Sequence, residues 1–148
     1  MVMAALVAAL AVAPAFAASP DVLVLRIQVT AVRAAESGDS DPELIGLRPR
    51  LRRLVGYRAF RVLNRETREC DWRNESRFML PGGRHLQLLP KSYDDDGVSL
   101  QVRLVEGRKR LVDTNVRVLD GATMMFGVGR DPRMGDEALI ILLKAEMR

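Results

Sequence analysis

Residues 97–119, GVSLQVRLVEGRKRLVDTNVRVL, hold the pattern that decides the fold. In the first half, apolar side chains at every second position alternate with Ser99, Gln101 and Arg103, and the second half alternates in the same way. Glu106-Gly107, between the two halves, is a turn signal. Because side chains of a strand point alternately to its two faces, this stretch predicts two antiparallel strands with one face on a core.

The same texture extends to both sides of this stretch. Apolar–polar alternation predicts strands near 57–64, 76–80, 84–90, 97–106, 110–119, 122–128 and 137–146. Turn signals separate them at Pro81-Gly82-Gly83, Asp94-Asp95-Asp96-Gly97, Asp120-Gly121 and Asp131-Pro132. Short strands divided by turns are typical of an antiparallel sandwich or barrel. Residues 138–143, ALIILL, have no polar break, which predicts a strand in the middle of the core.

The segment before residue 57 has a different character. Residues 22–32, VLVLRIQVTAV, predict a strand. Asp41 followed by proline and glutamate is a helix-start signal, with the carboxylate expected to cap free N–H groups. Pro49 predicts a kink at Arg48-Pro49, and Gly56 predicts the helix end. One apolar stripe at helical spacing follows Asp41: Leu44, Leu47, Leu51 and Leu54. The fold class we predict is α+β, mainly β: a strand and a short kinked helix, then an antiparallel β-sandwich or barrel-like sheet.

The first residues indicate export. Residues 1–18, MVMAALVAALAVAPAFAA, carry no charged side chain and contain Ala15-Phe16-Ala17, the small-residue pattern of a signal-peptidase site. We expect a signal peptide at 1–17 and a single domain at 18–148, divided into a strand plus basic helical segment (21–56) and an antiparallel β region (57–148). An uncleaved anchor and a cytosolic start are the alternatives. The expected location is the periplasm or the periphery of the outer membrane.

The composition disfavours catalysis and metal binding. The chain has one cysteine, Cys70, and one histidine, His85, so it can close no internal disulfide. A nucleophile and base pair would require these two residues to meet, and nothing in the sequence indicates that they do. Their scarcity also leaves no credible zinc or transition-metal cluster. We predict no catalytic residue, no metal site and no cofactor.

The densest charge in the chain is basic. The net charge is +4, with 20 arginines against 3 lysines. Eight arginines fall between residues 48 and 68, and Glu66 is the single acid among them: Arg48, Arg50, Arg52, Arg53, Arg58, Arg61, Arg65 and Arg68. Of these, the first seven are the candidate residues for binding an anion or a partner. A solvated face in an arginine-rich chain is the alternative.

Two further motifs have structural explanations. Asp94, Asp95 and Asp96 with Gly97 superficially suggest a calcium loop, but three consecutive acids cannot converge on one ion, and Val105 stands where such a loop needs a glutamate. A hairpin turn is the prediction. Gly127-Val128-Gly129 lacks the third glycine and the following helix of a phosphate loop, so it also predicts a turn.

One region resembles a known family. Residues 113–147, DTNVRVLDGATMMFGVGRDPRMGDEALIILLKAEM, resemble the strand–turn–strand pattern of the β-domain of secretins, the channels of outer-membrane secretion systems. The residues that match are Val116, Val118, Asp120, Gly121, Thr123, Gly127, Gly129, Glu137, Leu139, Ile140 and Ile141. The final strand departs from the family in having Lys144-Ala145 where a proline is usual. The resemblance covers about 35 residues and implies a β-hairpin of an envelope protein.

The functional expectation follows from these parts. The leading hypothesis is a non-catalytic exported envelope protein, a protein-binding accessory or structural β-module of a secretion or surface assembly. Its partner would be another envelope protein. The alternative is an anion-binding module that holds lipid headgroups or an acidic glycan through the arginines of residues 48–68. Nucleic acid is disfavoured by export and by the few aromatic side chains available for stacking.

Overall fold

The computed structural model describes residues 24–130 and 137–148. These residues form eight strands, one short 3-10 helix and one α-helix. The elements in chain order are β1 (Leu25–Ala35), a 3-10 helix (Pro42–Leu47), α1 (Arg48–Val55), β2 (Ala59–Cys70), β3 (Ser76–Leu80), β4 (Arg84–Tyr93), β5 (Gly97–Glu106), β6 (Lys109–Leu119), β7 (Thr123–Arg130) and β8 (Ala138–Met147). The predicted fold class, mainly β with a short helical segment, is confirmed.

The strands form two antiparallel sheets of four strands each. Sheet A has the order β2-β1-β8-β7, and sheet B has the order β3-β4-β5-β6. The chain enters sheet A with β1 and β2, builds sheet B as a meander, and returns to sheet A with β7 and β8. Each sheet has two edges, so the architecture is a sandwich and not a closed barrel.

The main core lies between the two sheets. Sheet A contributes alternate residues of β1 and β8, among them Ile27 and Ile141, and sheet B contributes alternate residues of β4 and β5, among them Leu86 and Leu100. Phe78 of β3 is also fully buried there. The predicted inward face of residues 98–104 is therefore confirmed, and its burial supplies the hydrophobic free energy that holds the sheets together.

A second, smaller core lies on the outer face of sheet A. Val32, Phe60 and Ile140 from the sheet pack there against Leu44 and Leu51 of the two helices. As a result both faces of β8 are covered over Ala138–Leu143, all of which are buried. This confirms that the uninterrupted apolar run forms a strand in the middle of the core.

The helical segment ends and bends where the sequence predicts. The 3-10 helix stops at Leu47, α1 begins at Arg48 with Pro49 in its first turn, and Gly56 caps it in the left-handed conformation with φ of 75°. Glycine adopts the left-handed conformation at little cost in free energy because it has no Cβ. The predicted apolar stripe is correct for its first three leucines, but Leu54 is 43% exposed.

The predicted cap by Asp41 is wrong. Its side chain makes no capping hydrogen bond to the helix. Instead the Asp41 carboxylate accepts a hydrogen bond from the Val62 N–H of β2 at 2.5 Å, and the Ser40 hydroxyl accepts one from the Phe60 N–H at 3.0 Å. The free edge of β2 competes for this carboxylate, and its backbone donors would otherwise lack a partner.

The strand predictions hold, with two corrections. The strand predicted near 57–64 continues to Cys70, because its second half stays paired with β1. Gly127-Val128-Gly129 is not a turn: it lies within β7, and the register with β8 shifts between Val128 and Arg130. The predicted turn at Asp131-Pro132 and the first part of the strand predicted at 22–32 lie outside the described residues.

Candidate functional site: a basic helical surface

The helix α1 carries four of the seven candidate arginines, Arg48, Arg50, Arg52 and Arg53, which we call the helix arginines. All four are exposed. Leu51 of the same helix is fully buried against the outer face of sheet A, so the side of the helix that carries Leu51 faces the sheet. Because neighbours on a helix face are three or four residues apart, the helix arginines occupy the flanks and outer side of α1.

Contacts with β7 hold the helix in place. A Cβ built on Gly127 would lie 3.3 Å from the Val55 Cγ1, so the absence of a side chain at this position lets helix and strand approach closely. The Arg50 guanidinium donates a hydrogen bond to the Thr123 carbonyl oxygen at 3.2 Å. The surface that carries the arginines is therefore seated on the sheet at two points.

The helix arginines have no acidic partner among the described residues: no described carboxylate lies within the 4.0 Å limit of an ion pair. Nine arginines elsewhere in the described chain do have such partners, among them Arg33 with Glu137 at 3.1 Å and Arg65 with Glu43 at 2.7 Å. The remaining paired arginines are Arg26, Arg68, Arg84, Arg103, Arg110, Arg117 and Arg148. Five others, scattered over the described chain, have no described ion pair: Arg58, Arg61, Arg73, Arg77 and Arg108. Positive charge is thus neutralised over much of the sandwich and left uncompensated on α1.

Helix electrostatics do not explain why arginines occupy the first turn of α1. The N-terminus of a helix carries partial positive charge, which favours acids there and disfavours cations. The first turn of α1 has no acid and bears Arg48 and Arg50. Arg52 and Arg53, in the last turn, are favourably placed. Residues that oppose a local stability rule are candidates for function.

The other three candidate residues do not join this surface as a group. Arg58 lies beyond the end of the helix and lines a surface cavity with Glu36 and Gly56. Arg61 lies between Phe60 and Val62, which both pack under the helices, so its side chain points to the opposite face of sheet A. Arg65 is engaged by Glu43 and by the Thr30 hydroxyl. The seven arginines are therefore divided, and the helix arginines form the compact part.

Exposed apolar side chains on the helical segment were not expected from the sequence. Ile45 of the 3-10 helix is 61% exposed and Leu54 of α1 is 43% exposed. Helical spacing predicts Leu54 in the core, but its side chain lies at the margin of the contact between α1 and β7, 3.8 Å from the Cβ position of Gly127, and stays partly exposed there. The basic surface thus has apolar side chains on the same segment.

Cys70 and His85 do not form a catalytic pair. Cys70 ends β2 and is buried in the core between the sheets, where burial raises the pKa of its thiol. His85 lies on β4 between the inward-facing Arg84 and Leu86, on the outer face of sheet B, and its ring contacts the Gln87 amide at 3.0 Å. The two side chains belong to different faces of the sandwich.

The run of three aspartates is a hairpin turn between β4 and β5, as predicted. The Asp94 carboxylate accepts hydrogen bonds from the N–H groups of Asp96 and Gly97 at 2.9 and 3.0 Å. Its other partner is the Arg117 guanidinium, which binds both carboxylate oxygens. The hydrogen bond from Arg117, followed by the backbone bonds, lowers the pKa of Asp94 to about 2.

Residues 24–130 and 137–148 show neither a metal-binding cluster nor a helix that could span a membrane. No three His, Cys, Asp or Glu side chains within this part of the chain are grouped so that they could hold a metal ion. No helix in the same residues has the length and apolar character needed to cross a membrane.

Comparison with known proteins gives matches in solved structures. The chain is similar to the type II secretion secretin GspD of E. coli K12, at 10% identity and a TM-score of 0.38, over 85% of this chain and 49% of that one. It is similar to Aeromonas hydrophila ExeD at 13% identity and a TM-score of 0.38, over 85% of this chain and 48% of that one. It is also similar to the secretin XcpQ of Pseudomonas aeruginosa at 9% identity and a TM-score of 0.34, over 85% of this chain and 56% of that one.

These matches belong to the family that residues 113–147 resemble. The chain spans about half the length of the secretin chains it matches. No protein-family model and no curated protein matches the chain. At TM-scores below 0.4 the likeness carries no argument about function.

Proposed function

We propose that this chain is a non-catalytic protein-binding module of the cell envelope that docks an acidic surface of its partner on the helix arginines. One observation carries the proposal: four exposed arginines on two turns of helix have no described carboxylate partner, while nine arginines elsewhere in the described chain do. The envelope location rests on the signal peptide predicted at residues 1–17.

The chemistry of the surface fits a protein partner. A guanidinium binds a carboxylate through two parallel hydrogen bonds, and arginine is enriched at protein interfaces. Ile45 and Leu54 supply exposed apolar area on the same segment, which an interface buries alongside its charged pairs. The fixed seat of α1 on β7 lowers the entropic cost of binding because the surface is already ordered.

The competing function is binding of an anionic lipid or glycan. Phosphate and sulfate groups accept the same guanidinium hydrogen bonds that carboxylates do. The helix α1 is only eight residues long and carries no aromatic side chain, whereas interfacial membrane helices present a broad apolar face with Trp or Phe. We therefore favour the acidic protein and use vesicles as a comparison.

The experiment is a pull-down from envelope extract with the tagged full chain and two variants of it. The test variant is Arg52→Glu with Arg53→Glu, which replaces two positive charges on α1 by two negative ones. The matched control is Arg77→Glu with Arg108→Glu: both arginines are exposed and have no described ion pair, Arg77 lying on β3 and Arg108 in the turn between β5 and β6. The control makes the same change in net charge away from the helical segment.

The proposal predicts a partner that the wild type and the control recover and the Arg52/Arg53 variant loses. It also predicts weaker recovery as salt is raised, since exposed charge pairs are screened over about 10 Å at 0.1 M salt. Equal recovery by both double variants contradicts the proposal. Binding to vesicles containing phosphatidylglycerol that is lost in the Arg52/Arg53 variant, with no protein recovered, assigns the surface to lipid instead.

A further inference from the structure

On three of the four sheet edges, at least one backbone group is bonded by a side chain from a neighbouring element. On β2, Ser40 and Asp41 accept hydrogen bonds from the N–H groups of Phe60 and Val62. On β3, the Asn64 amide donates to the Met79 carbonyl oxygen at 3.3 Å, and on β7 the Arg50 guanidinium donates to the Thr123 carbonyl oxygen. Such contacts reduce pairing of an edge with another chain.

The fourth edge, β6, has no such cover among the described residues. This strand spans Lys109–Leu119 and pairs with β5 alone. From Val112 to Val118 its pairing is regular, because the register shift lies before Val112, where Arg110 pairs with Val105. The half-buried Val112 and Val116 face the core at the rim of the sandwich. A long regular edge with unpaired N–H and C=O groups is a template for another strand.

The sequence of this edge is complementary to itself. In an antiparallel pair of two copies centred on Asn115, Asp113 of each copy lies opposite Arg117 of the other. Val112 lies opposite Val118 on the inner face, and Thr114 lies opposite Val116. Opposite charges and β-branched residues in directly facing positions stabilise antiparallel pairs.

Neighbouring registers lose this match. Residues that face each other across the two strands must lie on the same face of the sheet, so the two-fold axis has to pass between two copies of one residue. The alternatives next to Asn115 are Thr114 and Val116. Centring on Thr114 places Arg117 against Leu111, at the irregular end of the strand. Centring on Val116 places Asp113 against Leu119. Only the register centred on Asn115 pairs both charges of the regular segment with an opposite charge.

The two charged residues keep bonding capacity for a second copy. The Asp113 carboxylate accepts from the Gln101 amide at 3.1 Å through one oxygen, which also lies 3.5 Å from the Arg103 guanidinium, and from Arg110 at 3.0 Å through the other. Each oxygen has two lone pairs, so the oxygen that Arg110 binds keeps one for a second copy. Arg117 directs its two terminal nitrogens at Asp94, and a guanidinium has five N–H donors. A cross-copy pair would extend the network from Asp94 through Arg117 to Asp113 of the second copy.

We propose that β6 is the interface of a symmetric dimer, in which two copies of this chain join their B sheets through antiparallel β6 strands centred on Asn115. The partner strand is β6 of a second copy, because residues 112–118 are complementary to themselves. Run antiparallel, they place each charged or apolar side chain opposite a residue of matching chemistry. This inference uses a different sheet from the helix arginines and stands independently of the proposed function.

The test joins sedimentation with a disulfide placed on the two-fold axis. Asn115→Cys brings two thiols face to face in the proposed dimer, while Ser99→Cys, on the neighbouring strand β5, stays apart from its copy. Cys70 is retained in both variants because it is buried. We expect the full chain to sediment as a dimer at micromolar concentration, and Asn115→Cys to form a disulfide-linked dimer about tenfold or more faster than Ser99→Cys under the same oxidant.

A charge exchange separates pairing from folding. Asp113→Arg faces Arg117 of the other copy with a like charge, so the dimer should dissociate at least about tenfold more readily. Asp113→Arg with Arg117→Asp restores the facing charges and should restore the dimer, although both internal networks stay broken. A monomer at every concentration, equal disulfide rates at 115 and 99, or loss of the dimer in the Arg52/Arg53 variant would each overturn the inference.

Discussion

The aspartate at position 94 illustrates how one side chain organises a turn. The sequence predicts the turn from three acids and a glycine, because such residues favour tight hairpins. It does not predict the Arg117 partner, which is 23 residues away and reaches Asp94 only once β5 and β6 are paired. The pKa of Asp113 on the same sheet is also lowered, first by the hydrogen bond from Gln101.

The lowered pKa of Asp94 predicts a pH-dependent stability. A carboxyl whose pKa is lower in the folded protein than in the unfolded chain stabilises the fold above its unfolded value of 3.8, and this contribution is lost as the pH falls towards about 2. Asp94→Asn retains an oxygen for the backbone N–H groups and removes the charge. We expect this variant to have a lower Tm than the wild type at pH 7, with the difference disappearing between about pH 4 and pH 2.

Thermal unfolding followed by circular dichroism across this range checks the prediction. Asp95→Asn is the matched control, since Asp95 is exposed and no described contact engages its carboxylate. The control should follow the wild type at every pH. A difference between Asp94→Asn and the wild type that persists unchanged at pH 2 would show that the charge is not its cause.

At the scale of one element, the seating of α1 depends on Gly127. The sequence predicts the helix kink and its end at Gly56 because both follow from local backbone chemistry. It places Gly127-Val128-Gly129 in a turn, since closely spaced glycines are typical of turns. In the structure these residues belong to a strand, and glycine is needed at position 127 because Val55 packs against it. Val55 lies 72 positions earlier in the chain, so no local sequence pattern reveals this contact.

Gly127→Val should therefore loosen the helix. The added Cβ would lie 3.3 Å from the Val55 Cγ1, and the two γ-methyl groups of the new valine would clash with α1. We therefore expect the free energy of unfolding to fall by about 1–3 kcal/mol. Urea denaturation measures this loss. Gly46→Ala is the control, because nothing lies within 4 Å of its Cβ position, and its effect should stay within about 1 kcal/mol.

Truncating the contact should relieve the clash. In a double-mutant cycle, Val55→Ala with Gly127→Val should cost less than the sum of the two single changes, since the shortened side chain makes room for the new one. If the two effects simply add, Val55 is not the group that requires glycine at position 127.

At the scale of the whole molecule, alternation along the strands gives the buried faces but not the order of the strands. Residues 98–104 and 138–143 are placed correctly from sequence because burial repeats with a period that local reading detects. The return of β7 and β8 to sheet A is set by long-range pairing with β1. Long-range contacts also divide the candidate site. The seven arginines are close in sequence, but the side chain of Arg61 lies on the face of sheet A opposite α1.

The two proposed surfaces belong to different sheets. The helix arginines lie over the outer face of sheet A, whereas the open β6 edge belongs to sheet B. Neither surface uses a residue of the other, so partner binding and self-pairing can occur together. A dimer would then present two arginine surfaces to its partners and raise their apparent affinity without new contacts.

Site-specific photo-crosslinking in the cell envelope tests directly whether α1 docks a protein. A photo-reactive amino acid replaces Arg53 on α1 in one variant and Arg77 on sheet B in the other, both exposed positions. The account predicts a discrete protein adduct from position 53 that is absent from position 77 and disappears when Arg52→Glu is added. No protein adduct from position 53, or the same adducts from both positions, would contradict it.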